Sequence, residues 1–143
     1  MLRSKSINAY KQGNVNQEVI SADPHRLTLM LMQGALDSIA FAKGAMSRNE
    51  YKAKATHISK ATSIIILLRD TLDSNVGGEV VDNMFALYEY MIDRLTTAHL
   101  ENNSDILEEV SGLLTPIRDA WVQIPEAAKQ EAYAMQRQRP QAV

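Results

Sequence analysis

Residues 63–72 read SIIILLRDTL, and the reading of this stretch decides the fold. The five consecutive branched apolar residues Ile64 to Leu68 would be ordinary in a strand, but the sequence on both sides repeats with helical spacing. On a helix, five neighbours point in nearly every direction, so some of them must face away from any single core. The fold therefore turns on what covers them.

Working outward, four helical segments emerge. SADPHRL places Asp23 as an N-cap and Pro24 at the first helical position, where a missing N–H costs nothing, and helix 1 is expected to run to about Ser47. Asn49 is expected to cap helix 2, which continues to about Asp73. The pair Gly77 and Gly78 marks the clearest break. Helix 3 is expected from about Glu79 to Leu100, and helix 4 from Asn103 or Ser104 to near Ile124, kinked at Pro116 where an amide hydrogen is missing. EAAKQEAYAM can add a short fifth helix. Residues 1–21 read as a flexible arm, 22–135 as the bundle, and 136–143 as a disordered tail. Helices of about 20 residues joined by short turns predict an all-α, antiparallel up-and-down four-helix bundle.

Composition excludes several function classes. The chain has 143 residues, no Cys, and a formal charge of −2 from 15 basic and 17 acidic side chains, so no disulfide, thiolate site or overall field toward nucleic acid is expected. No apolar h-region follows the early positive charges, and the longest apolar run is far below the roughly 20 residues that cross a bilayer. A soluble intracellular protein without membrane insertion is expected. No Glu precedes a His by three residues, as a di-metal bundle requires, and neither HExxH, a Walker A motif nor GxGxxG occurs. Neither metal nor cofactor is expected.

Plotting residues at 100° intervals separates the helices by how much apolar surface they carry. Helix 4 keeps Ile106, Leu107, Val110, Leu114, Ile117 and Trp121 within one face. Helix 3 spreads Val80, Met84, Phe85, Leu87, Tyr88 and Met91 over a wider arc whose rim can be exposed. Helix 2 turns Ile58, Ala61, Ile64, Ile65, Leu68 and Leu72 inward and leaves Ile66 and Leu67 outside. Helix 1 is apolar nearly all round, with a thin polar stripe through Gln33, Asp37 and Gly44. A four-helix bundle covers each member on only about half its circumference, so helices 1 and 2 need a further cover. The arm with Ile7 and Tyr10, the C-terminal segment with Tyr133 and Met135, or another protein can supply it.

His57 to Ala61, HISKA, resembles the His-x-x-Lys-Gly signature of histidine phosphotransfer bundles, in which an exposed imidazole accepts a phosphoryl group beside a Lys, here Lys60. The helix 2 projection turns His57 inward and Ala61 replaces the Gly, which favours an ordinary, partly buried imidazole. Phosphotransfer stands as the alternative reading.

Taken together, INAYKQ at 7–12, LTLMLMQGAL at 27–36, LLRDTLD at 67–73, GGEVVDNMFALYEYMIDRL at 77–95 and LLTPIRDAW at 113–121 resemble the FliS-type flagellin export chaperones of bacterial flagella. The resemblance spans about residues 7 to 122 in the expected order. It implies a cytosolic, non-enzymatic bundle that binds the C-terminal segment of flagellin, with 1:1 stoichiometry expected. It also implies delivery of the complex to the flagellar type III export gate without ATP. Combined with the helix projections, it points to Ile7, Tyr10, Met30, Met32, Ile66, Leu67, Leu87, Tyr88 and Met91 as client-binding residues. Self-association as a homodimer through the same grooves stays open.

Overall fold

The computed structural model describes residues 23–72, 78–124, 128, 131, 132, 134 and 135. Four helices follow in chain order: α1, Pro24–Ser47; α2, Tyr51–Asp70; α3, Glu79–Glu101; and α4, Ser104–Val122. The described positions between 128 and 135 also have helical backbone. The chain is an all-α helical bundle, with no strand among the described residues. Ile7, Tyr10 and Tyr133, the arm (1–21) and the tail (136–143) lie outside the described residues.

Local chemistry sets the boundaries. Asp23 accepts a hydrogen bond from the Arg26 amide at 2.8 Å, and Pro24 opens the first turn. Asn49 does not cap α2 as expected. It sits at φ 58° in the left-handed region, ending α1, and the N-cap is Glu50, which makes no side-chain cap bond. Asn and Asp tolerate that conformation because their short polar side chains bond locally. Asn102 repeats the device after α3 at φ 51°, and Asn103 then caps α4 by accepting from the Asp105 amide at 2.9 Å. Gly78, at φ 97°, precedes α3. Helix α2 stops at Asp70, three residues before the expected end, and α4 continues through Pro116.

The helices form a ring: α1 packs on α2, α2 on α3, α3 on α4, and α4 closes onto α1. Contacts between opposite ends fix the antiparallel sense. Lys43, late in α1, pairs with Glu108, early in α4. Lys54, early in α2, reaches the His99 carbonyl at 3.3 Å and the Asn102 side chain at 3.0 Å, late in α3. His25, at the start of α1, stacks on Trp121, at the end of α4, with ring centroids 5.2 Å apart. The core runs through Met32, Ala35 and Ile39 of α1, Ile58, Ile65 and Leu68 of α2, Tyr88, Met91 and Leu95 of α3, and Leu107, Val110 and Leu114 of α4.

Four expected groove residues belong to this core. Met32 is 1% exposed, Leu67 5%, Tyr88 2% and Met91 0%. Helical geometry supplies the reasons. Met32 lies about 200° from Met30, so the two occupy opposite sides of α1. Tyr88 and Met91 share the inward face of α3 with Leu95. Leu67 is covered because α2 packs between α1 and α3, which widens its buried arc beyond one core face.

Candidate groove between the first two helices

One stripe of α1 remains outside the ring. Met30, Gly34, Asp37 and Phe41 are spaced 4, 3 and 4 residues apart, which keeps them within roughly 60° of one another. Gly34 contributes no side chain in the middle of the stripe, and Phe41 at its end is 60% exposed. Opposite them, α2 presents His57 and Lys60, with Lys52, Ala53 and Thr56 farther toward its start. Two adjoining recesses result. One, of about 310 Å³, lies among Met30, Gly34, Asp37, Phe41 and Lys60; the other, of about 530 Å³, lies along Tyr51, Ala53 and Thr56. His57 lines both and is where they meet; the first is walled by α1 and α2, the second by Glu50 and the start of α2.

The His57 ring is tilted 35° against the Phe41 ring at 5.2 Å between centroids. Its Nδ1 is fully covered and has no hydrogen-bond partner among the described residues. This matches the partly buried imidazole expected from the sequence, and differs from the exposed ring that phosphoryl acceptance needs. Lys60 lines the first recess beside it and is exposed. Gln33 edges the α1 side, donating from Nε2 to Asp37 at 2.8 Å while its Oε1 accepts from Arg118 at 2.7 Å.

Of the residues singled out from the sequence, the groove gathers Met30, and Ile66 and Leu87 are half-buried elsewhere on α2 and α3. Met32, Leu67, Tyr88 and Met91 are in the core instead. Phe41 was legible as part of the Met30 stripe but not singled out. His57, weighed only for catalysis, lies at the junction. A second exposed apolar area carries Val80 and Phe85 on α3, the latter with the Arg69 guanidinium 6.0 Å from its ring centre.

On the far side, Tyr90 donates to Glu109 at 2.6 Å and Arg94 donates to it at 2.8 Å. The Tyr90 bond, followed by that from Arg94, holds the Glu109 carboxyl below its usual range. This cluster ties α3 to α4. Among the described residues, no group of three or more His, Asp or Glu could hold a metal ion, and no helix is long and apolar enough to cross a membrane.

Comparison with known proteins identifies the family. Residues 6–128 match the family described as "Flagellar protein FliS". The chain is 44% identical over 121 residues to the flagellar secretion chaperone FliSB of Pseudomonas aeruginosa, covering 85% of this chain and 96% of that protein. It is 42% identical over 134 residues to the flagellar secretion chaperone FliS of Salmonella typhimurium, covering 92% and 99%. With the FliS of Bacillus subtilis, identity is 37% over 125 residues, covering 87% and 90%.

Proposed function

The chain belongs to the FliS family of flagellar proteins, and from that membership we propose that it is an export chaperone whose α1–α2 groove holds the C-terminal segment of flagellin. The observation that carries this reading is Phe41, a large aromatic ring left 60% exposed beside a recess that Met30, Gly34 and His57 shape. An exposed recess with an apolar rim between two helices suits an amphipathic helix, which lays its apolar face into such a channel.

The mechanism is masking. A client segment built to pack against its neighbours in a filament is an aggregation hazard before export, and seating its apolar face in the groove removes that face from water. Each large anchor fully buried contributes on the order of 1.5–3 kcal/mol before the costs of ordering the segment are subtracted. A few anchors around Phe41 and Met30 therefore suffice for a stable yet reversible complex, released by competition at the export gate without nucleotide hydrolysis. The complex acts in the bacterial cytosol with one client per chaperone. In this reading the arm of residues 1–21, through Ile7 and Tyr10, competes with the client for the same apolar surface, so that apparent affinity scales with the fraction of molecules already open.

Co-expression with the flagellin of the same bacterium tests the reading. A soluble one-to-one complex is expected, together with loss of that complex on Phe41→Ala. Flagellin that stays insoluble or unbound beside folded chaperone would overturn it.

A further inference from the structure

The groove is electrically lopsided. Most cations of the described bundle are engaged: Lys43 with Glu108, Arg48 with Glu50, Arg69 with Asp70 and Glu89, Arg94 with Glu109, and Arg118 with Asp119. Lys54 is buried against the end of α3. Lys52 and Lys60 differ, for both are exposed, each lines one of the two adjoining recesses, and neither has an acidic partner among the described residues. They are 8 residues apart on α2, which sets them about 12 Å apart along the helix axis and about 80° apart around it. Glu50, the acid at that end, is neutralised by Arg48. The opposite wall carries Asp37, which among the described residues forms no ion pair with Lys60 across the recess and accepts from the neutral Gln33 amide.

We infer that Lys52 and Lys60 are specificity-determining residues that orient the client: they pair with acidic side chains about two helical turns apart on one flank of the bound amphipathic helix. Asp37 faces the other flank and favours a basic or neutral residue there. The apolar face alone would let the helix roll in the groove, whereas unlike charges on the two walls favour one rotation. The inference rests on the chaperone reading and adds the charge pattern by which the groove recognises its client.

The test uses the full chain, the isolated C-terminal segment of its flagellin, and the same segment with every Asp and Glu changed to Asn and Gln. Exposed pairs are individually weak, but replacing two attractions with two repulsions is expected to lower affinity by about three- to tenfold for K52E/K60E at about 0.01 M ionic strength. The loss should disappear near 1 M salt and should be absent for the amide segment, while far-ultraviolet circular dichroism confirms the helices intact. Equal affinity of wild type and K52E/K60E for the acidic segment at low salt overturns the inference. So does an equal loss for both segments. Failure of the wild type to bind either segment overturns the chaperone reading itself, and with it the inference.

Discussion

His25 and Trp121 hold each other's backbone across 96 positions of sequence: the His25 Nε2 donates to the Trp121 carbonyl at 2.7 Å, and the Trp121 indole donates to the His25 carbonyl at 3.0 Å. Their rings lie nearly parallel, at 8°. A carbonyl only accepts, so this contact requires the proton on Nε2. The clasp joins the first turn of α1 to the last turn of α4, where the ring of helices closes.

Trp121→Phe keeps the stacked ring and deletes the indole donor. It is expected to cost about 1–2 kcal/mol, the worth of one part-buried hydrogen bond plus the carbonyl left behind. Urea denaturation should show a lower midpoint with an unchanged slope. A midpoint equal to that of the wild type would show that the clasp contributes nothing to closure.

Met32 and Met30 make a pair of opposite expectations two residues apart. Met32→Ala opens the core and is expected to lower stability by about 2–5 kcal/mol. Phe41→Ala, at an exposed ring, should change stability by about 0.5 kcal/mol or less and weaken flagellin binding at least about tenfold. Met30→Ala should weaken binding in the same direction. Calorimetric titration beside thermal melting separates the two classes, and a stability loss at Phe41 as large as that at Met32 would assign both to the core.

Lys54 is a buried cation at the end of α3, only 6% exposed. Its amine meets the His99 carbonyl and the Asn102 side chain, where the negative end of the helix dipole favours positive charge. Lys54→Met retains the stem and removes the donors. The expected destabilisation is about 1–3 kcal/mol, read as a lower melting temperature. An unchanged melt would mean that water replaces the amine without cost.

Burial pushes the Tyr88 hydroxyl up to about 12, from an ordinary value of 10.0. The folded chain then keeps a proton that the unfolded chain releases as pH rises through about 10. Stability falls across the window from about pH 10 to about pH 12, on the order of 2 kcal/mol from this group. Tyr88→Phe should flatten that alkaline decline. An equally steep decline in the variant would locate the sensitivity elsewhere.

The fold was legible because helix periodicity and end signals agree: Asp23 with Pro24, the glycines near residue 78, and Asn103 each mark a boundary by a local physical rule. Asn49 was misread because a short polar side chain serves equally as an N-cap or as a left-handed helix end, and only the backbone angle separates them. The site was harder to read. Met30 could be found from surplus apolar surface, but assigning Leu67 and Tyr88 to a groove required knowing how each helix is rotated within the ring. That rotation is set by neighbours distant in sequence. The run Ile64 to Leu68 has a plain resolution: α1 and α3 together cover most of it, so Ile64, Ile65, Leu67 and Leu68 are buried and only Ile66 is left half-covered.

Because α4 completes the ring against α1, α1 leaves the ribosome well before the helix that closes over it. Synthesis of the roughly 75 residues from the end of α1 to the end of α4 takes about 4–15 s at ordinary elongation rates, and through that interval the flank of α1 that α4 covers has no permanent lining. A nascent chain cut short before Trp121 would carry that flank uncovered, making premature termination a direct route to clumping.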